Sequence, residues 1–214
     1  MRQKLFGAIL GLGLMFGVTA GAWADMITLN ITVGNASISG MGPFGTVTIN
    51  RIDSTHATLT FNSTSPDLFT DGSSVAANIN LAGGSVTASG LTGNCPSCTY
   101  SFSSGQVNGF GNFNLAVDSG NSGPNGRSST ISFNLTLTGG TWANASAVLT
   151  PNNAGNEVAA HICVRNSVND TGCAVTGFAT QTGGVEQEGP EPGILSLLGI
   201  GIFALGFTAM RRRA

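Results

Sequence analysis

The sequence predicts an all-β protein, an antiparallel β-sandwich body carrying an apolar helix at either end. Three observations lead there. Between Asp25 and about Gly177, apolar residues recur at every second position, the period of strands with one buried and one wet face. Clusters of Gly, Asn, Ser and Pro interrupt that pattern at short intervals. The two long apolar runs lie at the extreme ends of the chain, each beside basic residues.

The first element is the N-terminal run. Arg2 and Lys4 precede the apolar stretch from Leu5 to Val18, and Ala22-Trp23-Ala24 stands before Asp25. A basic start, a short apolar segment and small residues at −3 and −1 are the parts of a secretory signal peptide. Residues 1–24 are therefore expected to be a signal-peptide helix, cleaved after Ala24 with Ala22 and Ala24 in the peptidase pockets.

The second element is the exported domain, residues 25–182. Ile27, Leu29, Ile31 and Val33 alternate with Thr28, Asn30 and Thr32, and Ile131, Phe133, Leu135 and Leu137 alternate with Ser132, Asn134 and Thr136. Val47 and Ile49, Leu59 and Phe61, Ile79 and Leu81, and Phe113, Leu115 and Val117 repeat the theme. Turn signals separate them at Gly40 to Pro43, Asp71-Gly72, Gly83-Gly84, Gly120 to Gly126 and Gly139-Gly140. Eight to eleven short strands at this spacing are expected to form the sandwich. No long window in the body has the period of an amphipathic helix.

Residues 183–189, with Glu186 and Glu188, read as a polar linker. Residues 190–214 form a tail in three parts: Pro190-Glu191-Pro192, an uncharged stretch at 193–210, and Arg211-Arg212-Arg213. As a helix the middle part spans about 27 Å, just enough for a transmembrane helix. The arginines are a stop-transfer signal that keeps the end on the cytoplasmic side. The flanking prolines reject helix and leave an extended, accessible segment at the membrane surface.

Charge excludes one class of partner. Charged residues are 8% of the chain, and between Asp25 and Gly189 three arginines (Arg51, Arg127, Arg165) face nine acids with no lysine. Nucleic-acid binding needs clustered basic side chains, so none is expected. The remaining basic residues belong to the membrane topology.

Four cysteines lie in the exported region, where disulfides persist. Cys163 and Cys173 bracket a polar loop, and Cys95-Pro96-Ser97-Cys98 has the C-x-x-C spacing. That spacing suits redox exchange or half of a zinc site elsewhere. Here it follows a Gly-Asn turn instead of opening a helix, and the other pair has nine intervening residues. Of the three pairings that four cysteines allow, the local one is favoured, Cys95 with Cys98 and Cys163 with Cys173.

Other candidates are sparse. Trp142 and Tyr100 are the aromatic residues of the body able to serve as a sugar platform, although a single Trp more often goes to the core. Asp118, Asn121 and Asn125 share a glycine-rich loop and are weak calcium candidates, so no metal is expected. His161 sits beside Cys163 and Arg165, but a bridged cysteine is no thiolate, and a surface strand histidine is the expectation. No phosphate loop, nucleophile elbow, zinc-protease or dinucleotide motif is present, so neither cofactor nor catalysis is expected. Six Asn-x-Ser/Thr sequons begin at Asn30, Asn35, Asn62, Asn134, Asn144 and Asn169, as chance allows in so Asn- and Thr-rich a chain.

Pro190-Glu191-Pro192, the glycine-studded span and the terminal arginines together resemble the PEP-CTERM sorting signal. The resemblance covers about the last 25 residues. It implies processing near Pro-Glu-Pro by an exosortase, a membrane-embedded transpeptidase-like enzyme. An ordinary membrane anchor would share the last two parts. A looser resemblance to the closing stretch of such proteins lies in Ala159 to Ile162 and Cys173 to Ala179, and implies no activity. The expected partners are signal peptidase, exosortase, the membrane before processing, and exopolysaccharide. The expected location is an inner-membrane intermediate followed by the cell surface or exterior. The expected function is a non-enzymatic surface or extracellular-matrix protein of biofilm, with a carbohydrate-binding module and an unrecognised extracellular hydrolase as alternatives.

Overall fold

The computed structural model describes residues 25–95, 98–120 and 123–181. Eleven strands run through them: β1 (Asp25–Gly34), β2 (Gly45–Arg51), β3 (His56–Ser63), β4 (Leu68–Phe69), β5 (Val75–Ala77), β6 (Ser85–Gly93), β7 (Ser101–Val107), β8 (Gly111–Asp118), β9 (Thr130–Thr138), β10 (Val158–Val164) and β11 (Val175–Gln181). Among the described residues the helices are two short 3₁₀ turns, Pro124–Gly126 and Ser146–Val148. The signal-peptide segment with Ala22 and Ala24, the linker, and the tail with Pro190 to Pro192, the span and Arg211 to Arg213 lie outside the described residues.

The described body is all-β and every strand pair in it is antiparallel, as predicted. The hydrogen bonding does not divide into two sheets, however. It runs unbroken through β6-β9-β3-β2-β1-β11-β10-β5-β8-β7, with β4 added alongside β10. The result is one nearly closed sheet. Its two ends, β6 and β7, follow one another in the chain through the loop that holds Cys95 and Cys98, yet they do not pair. Rolling a sheet on itself covers both apolar faces with one core and leaves only two edges.

Both edge strands are irregular. The register slips between Ser89 and Thr92 in β6, and between Ser103 and Gly105 in β7. Bulges of this kind bend an edge away from further pairing. In β6 the bulge turns on Gly90, whose φ is +61°, and a Cβ there would lie 2.6 Å from Asn134 Nδ2. Any larger residue would collide with that amide as well as strain the backbone.

The interior is aromatic at its centre. Phe61 lies 6.1 Å from Phe133 in a stacked arrangement and 6.4 Å from Phe69 edge-on, and Phe102 meets Phe133 edge-on at 5.6 Å. These are the offsets that ring quadrupoles favour. Burial follows the alternation in β2 and β9, where apolar residues are inside and Thr, Ser and Asn outside. The other half of the sheet behaves differently. β5 is buried at all three positions, and β10 at five of seven. A second apolar cluster on the outer side explains it: Ala76, Ala116 and Ala159 gather there with Val107, Phe110 and Phe113, and Phe178 packs against them. Strands covered on both faces lose their period-two signature.

Candidate functional site

The predicted disulfides are both present, Cys95–Cys98 and Cys163–Cys173, and no described cysteine is free. Disulfides persist in oxidising compartments, so the body belongs outside the cytoplasm. The Cys163–Cys173 bridge joins the end of β10 to the approach to β11 and encloses a loop knitted from within. Arg165 donates from its Nε to Pro66 O at 2.5 Å, and from one terminal nitrogen to Val168 O and Asp170 O. Asp67 Oδ1 accepts the Arg165 amide at 3.0 Å, while burial pushes the Asp67 carboxyl above its ordinary value against the pull of that arginine. Arg165 is thus a clamp on the loop.

Arg127 donates to Thr171 O at 2.5 Å in the same loop. Desolvation, and then the Arg165 charge, push its guanidinium below its ordinary value, with Asp71 acting the other way. His161 stacks on Phe178 with ring centroids 4.3 Å apart, and its Nδ1 bonds to the Asp71 carbonyl. The half-buried His161 and the bridged Cys163 therefore do not form a nucleophile pair.

The two aromatic platforms are not platforms. Trp142 is 1% exposed, and its indole N–H donates to Asn80 O at 2.8 Å inside the core. Tyr100 packs against the core, with its hydroxyl buried over Gly93. A sugar ring needs an open aromatic face; burial removes it for Trp142 and packing against the core leaves Tyr100 half-buried. Of the calcium candidates, Asp118 Oδ1 accepts the amides of Gly120 at 3.0 Å and Gly72 at 3.3 Å, and the backbone carbonyl of Asn125 lies 2.8 Å from the bridged Cys95 Sγ. Asn121 lies outside the described residues. Among the described residues no three His, Cys, Asp or Glu side chains come together as a metal group.

Asp53 and His56, in the turn between β2 and β3, form an exposed pair with His56 Nδ1 2.9 Å from Asp53 Oδ2. The amide of Thr55 above all, and then the His56 ring, bring the Asp53 carboxyl down to about 2. Because Oδ1 also accepts the amide of His56, the carboxylate serves to close the turn.

What the site residues lack, the outer face of the strands supplies. Register aligns Thr28, Thr48, Thr60, Ser132 and Thr92 in one row across β1, β2, β3, β9 and β6. A second row runs Asn30, Thr46, Asn62, Thr130, and a third the exposed Met26, then Asn50, Thr58, Asn134, Ser89. Within the rows Thr60 and Ser132 hydroxyls bond at 2.9 Å, Thr58 donates to Asn134 Oδ1 at 2.8 Å, and Thr130 donates to Asn62 Oδ1 at 3.0 Å. The sequence showed each wet face separately; the alignment of those faces across five strands needed the register.

Among the described residues no helix is long and apolar enough to cross a membrane. Comparison with known proteins returns no matching family model, no matching curated relative and no matching solved structure.

Proposed function

We propose that the chain is an exported, non-enzymatic component of the cell surface or extracellular matrix, sorted by an exosortase through its C-terminal tail and associated with exopolysaccharide. The observation that carries the reading is the order of segments along the chain: a signal peptide, a disulfide-bearing β body, then Pro190-Glu191-Pro192, an apolar span and Arg211 to Arg213. The two disulfides support export. Asp25, the first residue after the expected cleavage, is held in the body by Arg51 Nε at 2.6 Å and by the Ala145 amide at 2.6 Å, which supports a domain starting there.

In this reading the segments at 1–24 and 193–210 are helical in lipid. The nearly closed sheet works as a sandwich, its halves meeting where Phe102 of β7 touches Phe133 of β9. The test is intact mass and fractionation of the protein from its host, with and without the exosortase. Loss of residues 1–24, together with exosortase-dependent truncation near Pro190 to Pro192, supports the proposal. A membrane-bound product that keeps Arg211 to Arg213 in both strains overturns it.

A further inference from the structure

We propose that the outward face of β1, β2, β3, β9 and β6 binds neutral polysaccharide chains through its rows of hydroxyl and amide groups. This deepens the matrix reading above and rests on it.

The geometry is that of a regular array. Strands lie about 4.8 Å apart, and alternate residues along a strand about 6.7 Å apart. The row from Thr28 to Thr92 therefore offers a hydroxyl about every 4.8 Å over a width of about 19 Å. That interval is comparable to the length of one sugar ring in an extended glycan.

The groups are also held ready. Threonine is stiff at χ1, and cross-strand bonds such as Thr58 to Asn134 fix the partners further. In the central row the Thr28 and Thr48 hydroxyls pair at 3.4 Å, those of Thr60 and Ser132 at 2.9 Å, and Ser132 Oγ also donates to Leu59 O, so the row presents mainly the spare lone pairs of its oxygens. Little rotamer freedom is left to lose on binding.

Charge selects the partner. Among the described outward positions of these strands the ionisable side chain is His56, at the margin of the face. Arg51 is buried against Asp25, and Arg127 and Arg165 are tied to the disulfide loop. A polyanion would find no cationic partner on this face, whereas a neutral glycan matches it hydroxyl for hydroxyl.

The array also selects a polymer over a free sugar. Each protein–sugar hydrogen bond replaces one to water and contributes only about 1 kcal/mol net. Trp142 is buried and Tyr100 half-buried, so neither gives a single ring the open stacking face on which it would gain more. A chain that engages a whole row adds many such bonds with one loss of translational freedom.

The test uses the full-length protein in mild detergent, with insoluble neutral glucan for sedimentation, dextran gels for affinity electrophoresis, and alginate as the anionic comparison. Binding to neutral glucan that is unchanged from low to high salt is expected. The double variant Thr48→Val, Thr60→Val keeps the β-branched shape and loses two hydroxyls of the central row. It is expected to unfold at the wild-type temperature and to bind about tenfold more weakly. Ser103→Val, on β7, is expected to bind as the wild type does.

Binding confined to alginate and abolished by salt overturns the proposal, as does neutral binding indifferent to the double variant, or self-association in place of glycan binding. A protein that co-fractionates with matrix in its host but ignores neutral glycans when pure sinks this proposal and leaves the matrix reading intact. A protein that is never exported or processed sinks the matrix reading, whatever its glycan affinity.

Discussion

The two halves of the sheet are built from the same backbone and opposite side-chain rules. In β9, β3, β2 and β1 one face is core, with β6 packed half-buried beside it, and the other face is a field of Thr, Ser and Asn broken by the exposed Met26. In β11, β10, β5 and β8 the outer face carries its own apolar cluster, with alanines at Ala76, Ala116 and Ala159 where the elements crowd together. The difference teaches that one continuous sheet can be half surface and half interior. A substitution at the same strand position then means different things on the two sides.

The largest break in that comparison comes where the halves meet. Phe133→Ala empties the ring shared by Phe61 and Phe102 and is expected to cost about 3–5 kcal/mol, read by urea denaturation. If the halves were independent modules, the transition would split in two; a single transition displaced to lower urea is expected. Next comes the disulfide at the end of β10. Replacing Cys163 and Cys173 together by Ala is expected to cost about 2–3 kcal/mol, compared with about 2 for the shorter ring of Cys95 and Cys98. Denaturation of the two double variants side by side checks the order.

The contrast itself is sharpened by one apolar substitution on each outer face. Ala159→Leu, at a fully buried position of β10, is expected to cost about 1–3 kcal/mol through overpacking. Thr48→Val on the outer face of β2 is expected to stay within about 0.5 kcal/mol of the wild type. Equal losses at the two positions would erase the distinction between the halves.

The smallest effect concerns pH. The Asp53 carboxyl ionises at about 2 in the fold against 3.8 ordinarily. Its contribution is therefore complete above about 3.8 and fades as pH falls towards 2. Asp67 runs the other way: its raised pKa makes the folded state less favourable as pH rises through the carboxylate range. Asp53→Asn should flatten the acid limb of a pH–stability curve, and Asp67→Asn should remove a slope of opposite sign.

These opposite rules also decided what could be read from the chain. Strands β1, β2, β3 and β9 were legible because one wet face leaves period two intact, as in Ile131, Phe133, Leu135 and Leu137. β5 was not, since burial on both faces removes the alternation, and β10, though read as a strand around His161, gave no hint that Val158-Ala159-Ala160 is covered on both sides. Ile79 and Leu81 alternate like a strand, yet Ile79 makes only an isolated bridge to Leu149. The Ser- and Gly-rich β6 carries too little apolar signal to be picked out, and its strand character comes from its neighbour β9, whereas a strand is expected after Cys98 and β7 lies there. The local disulfides were legible from spacing. A single Trp favours the core by composition alone; what the sequence does not show is the partner, Asn80 O, that accepts the indole N–H bond and lets the ring be buried.

One pairing has a consequence for how the molecule comes into being. β1 is the first strand and β11 the last, and they lie side by side, with Ile31 opposite Gln181. A chain emerges with its N-terminus first, so β1 can find β2 early but waits for its other neighbour until nearly the whole body has appeared. Pairings such as β3 with β9 add further separation. Long-range closures of this kind make for slow folding, and they leave one side of β1 unsatisfied in the meantime.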